Sequence, residues 1–176
     1  FSGLSVNTTY HFRVHATTGP YAALGSTATL ANVPAAAAAP FTAVFQSSIT
    51  FAWGANSNPS GTPWLAEIAA DAAFSVSPQS SATLNQSVVF TCLTKNSTYY
   101  ARVLAINRNS VPSAYLAAAA TSTLTDPPGV PGTPFSFAGP SSVSVNWGSL
   151  PLAPTESSCE GYRVEASTAA NFSGTV

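Results

Sequence analysis

Few side chains in this sequence could do chemistry, and their types and spacing limit what that chemistry would be. Cys92 and Cys159 are the two cysteines; with no His or further Cys beside them they fill only half of a zinc shell, so no metal site is expected. His11 and His15 stand at i and i+4 of a segment that alternates as a strand, which holds them about 13 Å apart. That is too far for one shared ion, and it places both on the solvated face with Arg13 between them. No Ser and Asp join them in a recognisable hydrolytic motif. Glu67 and Glu165 could be imagined as the paired carboxylates of a glycosidase, but they occupy equivalent positions of a repeat and so belong to different modules. No catalytic residue, cofactor or metal is therefore expected, and the chain is read as non-enzymatic.

Asn7, Asn85, Asn96 and Asn171 each open an Asn-x-Ser/Thr sequon and are the candidate glycosylation sites. Asn7 and Asn96 are also the same repeated turn before a Tyr, where Asn suits the backbone conformation. The rest of the composition narrows the partners. Of 176 residues 45% are hydrophobic, enough for packed cores, while only 6% are charged and the net charge is −1. Scattered basic residues cannot neutralise a run of phosphates, so nucleic acid is not an expected partner. No apolar run approaches the roughly 18 residues of a membrane span, so insertion of this segment into a membrane is not expected either. A surface solvated by hydroxyls and amides suits an extracellular or cell-surface repeat protein.

What must position these residues is an internal repeat. Leu4, Tyr10 and Val14 recur 89 positions on at Leu93, Tyr99 and Val103. At a shift of 94, Tyr21, Pro40-Phe41 and Trp53-Gly54 recur at Tyr115, Pro134-Phe135 and Trp147-Gly148. At 98, Trp64, Glu67 and Phe74 recur at Tyr162, Glu165 and Phe172. A period of about 90 residues is the size of one small sandwich domain.

Within the period, short alternating runs read as strands separated by turn residues. Phe41–Val44 and Ser48–Trp53 are two, the second turning Ile49, Phe51 and Trp53 inward. Further strands begin at Trp64, include Val88 and Phe90, and open at Tyr99 and Tyr115, with another expected at Tyr162–Ser167. Pro-bounded segments, Val33–Pro40 and Asp126–Pro134, read as stiff linkers.

On Trp53 and Trp147, on Tyr-x-Val-Glu-x-Ser at 162–167, and on the Leu-to-Tyr-to-Val pattern of the strand opening at Tyr99, the chain resembles tandem fibronectin type III modules. The resemblance implies an all-β fold of tandem seven-stranded antiparallel β-sandwiches, one complete and two partial. Residues 1–33 would be the last two strands of one module, 34–127 a whole module, and 128–176 the first three strands of a third. The incomplete ends read as pieces of a longer array; the alternative is that residues 128–176 of one chain are completed by residues 1–33 of the next, although both ends lack a counterpart of the strand between Phe74 and Phe90.

The resemblance also assigns roles. Tyr10 and Tyr99 would be tyrosine corners and Trp53 and Trp147 core residues. Cys92, before the sixth strand, and Cys159, in the loop after the second, would face one junction and could form an inter-module disulfide, two unrelated thiols being the alternative. Trp64 shares a strand face with Ala66 and Ile68; next to a variable loop it could also be partly exposed and stack on a sugar. Loops 55–63 and 106–114 are the candidate binding loops. The implied function is a non-catalytic structural array of a secreted or cell-surface protein: a stalk, fibre or adhesin. The alternatives are spacer modules of a larger secreted polysaccharide-degrading enzyme, or a weak carbohydrate-binding module. Expected partners are neighbouring modules, self-association into filaments, and glycans or other cell-surface proteins.

Overall fold

The computed structural model describes residues 1–174 and divides into two compact units, Phe1–Leu124 and Thr125–Val176. The first unit holds nine strands: β1 (Thr9–Val14), β2 (Ala22–Ala28), β3 (Ala35–Val44), β4 (Ile49–Gly54), β5 (Trp64–Ala69), β6 (Gln79–Thr83), β7 (Ser87–Phe90), β8 (Thr98–Ala105) and β9 (Leu116–Ser122). Among the described residues β1 and β2 pair only with each other. The other seven close into a sandwich of two antiparallel sheets, ordered β3-β4-β7 and β6-β5-β8-β9.

The sandwich forms where period-2 patterns present apolar residues to one another. Ile49, Phe51 and Trp53 of β4 are buried on one inner face, and Trp64, Ala66 and Ile68 of β5 with Tyr99, Ala101, Val103 and Ala105 of β8 on the other. Aromatic rings run through this core: Phe51 and Trp53 have centroids 5.5 Å apart, and Trp53 meets Trp64 edge-on at 6.1 Å. Leu93 and the Tyr99 ring close its end, while the Tyr99 hydroxyl accepts the Thr94 N–H at 2.9 Å. The indole N–H of Trp53 finds no acceptor among the described residues.

β3 differs from the sequence expectation. The Ala35–Ala39 run between the two prolines is strand rather than linker, Ala35 pairing with Gly54 and Ala36 with Trp53. The register slips before Phe41, and that irregularity accommodates Pro40, which has no N–H for the ladder.

The second unit contains β10 (Phe135–Ala138), β11 (Val143–Val145) and a 3₁₀ turn at Thr155–Ser157. Its pairing copies β3–β4 at a shift of 94: Phe41 opposite Phe51 becomes Phe135 opposite Val145, and Val44 opposite Ile49 becomes Ala138 opposite Val143. Gly129 pairs with Gly148 where Ala35 pairs with Gly54. The hairpin β1–β2 copies β8–β9 in the same way, with Tyr10 opposite Thr27 and Tyr99 opposite Thr121, and with an irregularity at the equivalent place in each.

Tyr162–Ser167, expected as a strand, joins no ladder among the described residues. Its counterpart β5 is held between β6 and β8, and the described residues of the second unit form neither neighbour. For the same reason Trp147 is 40% exposed where its counterpart Trp53 is buried.

If the closed sandwich is the stability-bearing body, Phe51→Ala should cost about 3–5 kcal/mol, and Tyr99→Phe, which orphans the Thr94 N–H, about 1 kcal/mol. Val145→Ala in the open second unit should cost far less. Urea titrations followed by Trp fluorescence measure all three; equal effects of Phe51→Ala and Val145→Ala would contradict the assignment.

Candidate functional site

The most heavily built polar site lies where the turn before β1 meets the loops 55–63 and 106–114. Asn7 is the centre of it. Its backbone sits at φ +44°, in the left-handed region that Asn tolerates, and its N–H donates to the Leu30 carbonyl at 3.1 Å. The β1–β2 hairpin therefore presents the Asn7 side chain outward, yet it is only 1% exposed. Its Nδ2 donates to Thr62 Oγ1 at 2.9 Å, its Oδ1 accepts the Arg108 N–H at 2.9 Å, and its carbonyl accepts Arg108 Nε at 3.2 Å.

The two loops are stiffened to receive it. Asn107 Oδ1 accepts the N–H groups of Asn109 and Val111 at 2.9 and 2.8 Å, leaving its Nδ2 to donate to the Thr29 carbonyl. Asn109 Nδ2 donates to Thr27 Oγ1 at 2.8 Å. On the other side Thr62 Oγ1 donates to the Pro59 carbonyl. Asn58 and Asn32 exchange a reciprocal pair: Asn32 N–H to Asn58 Oδ1 at 3.0 Å, Asn58 Nδ2 to the Asn32 carbonyl at 2.9 Å. Asn56 Nδ2 reaches the Val33 carbonyl at 2.7 Å. Buried amides and hydroxyls that are all partnered make a directional joint, because each lost bond would leave a desolvated group.

The same turn recurs before β8. Asn96 has φ +46° and donates its N–H to Leu124, as Asn7 does to Leu30. Thr123 Oγ1 donates to the Thr94 carbonyl as Thr29 Oγ1 does to Ser5, and Ser97 N–H donates to Thr123 as Thr8 N–H does to Thr29. The Tyr10 hydroxyl accepts the Ser5 N–H at 2.8 Å, the same bond that Tyr99 makes with Thr94.

A second cluster lies on the outer face of the β6-β5-β8-β9 sheet. Glu67 and Arg102 stand opposite each other on β5 and β8, and both Nε and Nη2 of Arg102 lie 2.7 Å from Glu67 Oε2. The guanidinium is also sandwiched, 3.9 Å from the Phe74 ring and 4.0 Å from the Tyr115 ring. Burial, and then a hydrogen bond to Glu67, push the Tyr115 phenol above its ordinary value. Nothing in the alternating pattern alone announced this sandwich, although the recurrence of Arg13 and Tyr21 at Arg102 and Tyr115 was a usable signal.

The remaining candidates are dispersed. His11, Arg13 and His15 are exposed, the His15 ring lying 4.2 Å from Tyr21 and Arg13 4.0 Å above the same ring. Glu165 pairs with Arg163 at 2.7 Å. Trp64 is 2% exposed inside the core, so it offers no platform for a sugar. Cys92 and Cys159 are thiols, the first exposed and the second half-buried. A hydrogen bond to Cys159 raises the Tyr162 phenol. Of the sequons, Asn85 and Asn171 are exposed, Asn96 is half-buried, and Asn7 has no room for a glycan in its seat.

Neither a protein-family model nor a curated protein matches the chain. Among solved structures it is similar to the fibronectin type-III domain of human fibronectin type III domain containing protein 3, at 15% identity over 55% of this chain and 88% of that one, TM-score 0.46. It is also similar to domains d3-d4 of the rat CD45 extracellular region, at 15% identity, 70% and 67% coverage and TM-score 0.47. Chicken CNTN1 FN1-FN3 domains match at 16% identity, 67% and 43% coverage and TM-score 0.46. By the order of its strands, three against four with β5 and β8 at the centre of the larger sheet, the closed body is a fibronectin type III-like sandwich.

Proposed function

We propose that this chain is a non-catalytic structural segment of a secreted or cell-surface protein, in which successive sandwich modules are joined by rigid polar seats. The observation that carries the reading is Asn7. A surface turn of one hairpin is almost fully buried by loops of the next module and held by Thr62 and Arg108. A flexible tether would leave such groups to water; here every polar atom of the Asn7 side chain is partnered across the joint. The loops that sequence reasoning put forward for ligand binding, 55–63 and 106–114, are engaged in this seat.

A stalk or fibre needs this property, because modules that keep their angle transmit length and load. Low charge supports the same reading, since 6% charged residues and a net charge of −1 leave little repulsion between neighbouring modules. The recurrence of the Asn turn before β8 supports repetition of the seat along an array. The Cys92–Cys159 disulfide belongs to this proposal as a staple between consecutive modules in an oxidising compartment.

Rigidity is measurable by pulsed electron–electron resonance between spin labels at Thr17 and Ser80 in a Cys92→Ser, Cys159→Ser background. A narrow distance distribution is expected, broadening in Asn7→Ala and Arg108→Ala, each of which leaves buried groups unpaired at a cost of about 1–3 kcal/mol. A broad distribution in the parent chain would sink the rigid-joint reading. For the staple, non-reducing peptide mapping of material secreted through an oxidising compartment should recover a crosslinked peptide containing both cysteines. Two free thiols there would remove it.

A further inference from the structure

Four strands of the closed sandwich stand at a sheet edge: β3 and β7 in one sheet, β6 and β9 in the other. An edge strand exposes unpaired main-chain groups on which another chain can add, and proteins blunt it with charge, proline or an irregular register. β3 is interrupted at Pro40 by register slips, and the ladder of β9 slips between Ala101 and Val103. β6 and β7 have no such device. Gln79–Thr83 runs in unbroken register along β5, Ser87–Phe90 does the same along β4, and neither strand contains a charge or a proline. Val89 of β7 is 57% exposed, and Leu84, between the two strands, 64%.

The turn at residues 84–86 carries the chain from one sheet to the other, so both unguarded edges lie on the same side of the sandwich. At that turn stands a sequon, Asn85-Gln-Ser87, and all three of its residues are exposed. The Asn85 N–H donates to Thr83 Oγ1 at 3.0 Å, and the Gln86 carbonyl accepts the Trp53 N–H at 3.0 Å. These bonds fix the turn without using the Asn85 amide. The other two sequons of the first unit differ: Asn7 commits its amide to Thr62 and Arg108 in a closed seat, and Asn96 repeats that turn half-buried.

We propose that Asn85 is the acceptor of an N-linked oligosaccharide, which stands beside the open edges of β6 and β7 and keeps them from pairing with another molecule. The inference rests on the secreted or cell-surface reading, because the sugar donor, a polyprenyl diphosphate-linked oligosaccharide, is met on the export route. The transfer forms a bond from Asn85 Nδ2 to C1 of the sugar and breaks the bond from C1 to the diphosphate oxygen. The lipid diphosphate leaves with that electron pair, and one amide proton passes to a base of the transferase. The Ser87 hydroxyl completes the pattern that the transferase recognises. Transfer precedes folding, so the fold has to accept the glycan afterwards: the exposed turn at Asn85 does, whereas a glycan on Asn7 would hold the joint open. A bulky, hydrated chain at the turn supplies the guard that charge supplies elsewhere, in a protein with only 6% charged residues.

Secretion of the chain from a eukaryotic host, behind a cleavable leader, tests this. Peptide-N-glycosidase in heavy-oxygen water marks each occupied Asn, and peptide mapping locates the mark. In the folded fraction Asn85 should be marked in most molecules and Asn7 in none, and Ser87→Ala, at an exposed position opposite Ala52, should abolish the mark at Asn85. Sedimentation velocity over a concentration series then reads the guard. Protein freed of its glycan, and Ser87→Ala, should each self-associate at concentrations about tenfold or more below those at which the glycosylated chain does, with unchanged urea midpoints verifying the fold. A secreted, folded chain with Asn85 unmarked, or marked at Asn7 in its place, overturns the proposal alone; so does glycan removal that leaves association as it was. A chain retained in the cell with Asn85 unmarked removes the secreted reading together with the proposal.

Discussion

An apolar sheet face has to be covered by a second sheet, and the fate of each segment of this chain follows from whether that cover is present. Where β4 faces β5 and β8, residues with ordinary strand patterns become a dry core. Where the facing sheet is lacking, the same pattern keeps its hairpin register but leaves its apolar side open: Trp147, Phe135 and Val145 are exposed although their counterparts Trp53, Phe41 and Phe51 are buried or half-buried. Hairpin pairing is local and survives on turn geometry and main-chain hydrogen bonds. A central strand such as β5 depends on neighbours distant in sequence, and its copy at 162–167 joins no ladder among the described residues.

Chain continuity alone does not hold the first hairpin to the module that follows it. The joint uses amides and hydroxyls rather than an apolar patch, which gives it a different physical character from the core beside it. Hydrophobic contact is tolerant of sliding and rotation, whereas a buried Asn whose donor and acceptor are each matched has one satisfactory orientation. With 6% of its residues charged, the chain has few long-range electrostatic interactions. Short-range, directional bonds from Asn7, Asn32, Asn58 and Asn107 hold the first hairpin and the segment after it to the loops of the closed sandwich.

The Arg102 clamp shows the complementary device on the sheet's outer face. One guanidinium bonds a carboxylate and stacks on two rings, Phe74 and Tyr115. It ties β5 and β8, with the segments before β6 and β9, at one point.

Composition, the repeat and the period-2 alternation were sufficient to determine an all-β chain with inward-facing Phe51, Trp53 and Val103, and the ends as copies of parts of the middle. These are local patterns, and local patterns dictate strands and turns. Three outcomes needed the tertiary structure. The alanines at 35–39 became strand because the end of β4 offered them a partner, which outweighed the flanking prolines. Trp64 went fully inside because Trp53 and β8 packed over it. Asn7 became the centre of a joint, and not merely a turn, because loops some 50 and 100 residues away close around it. A turn's sequence specifies its own dihedrals but not what is brought against it, and the packing of distant segments decided that part.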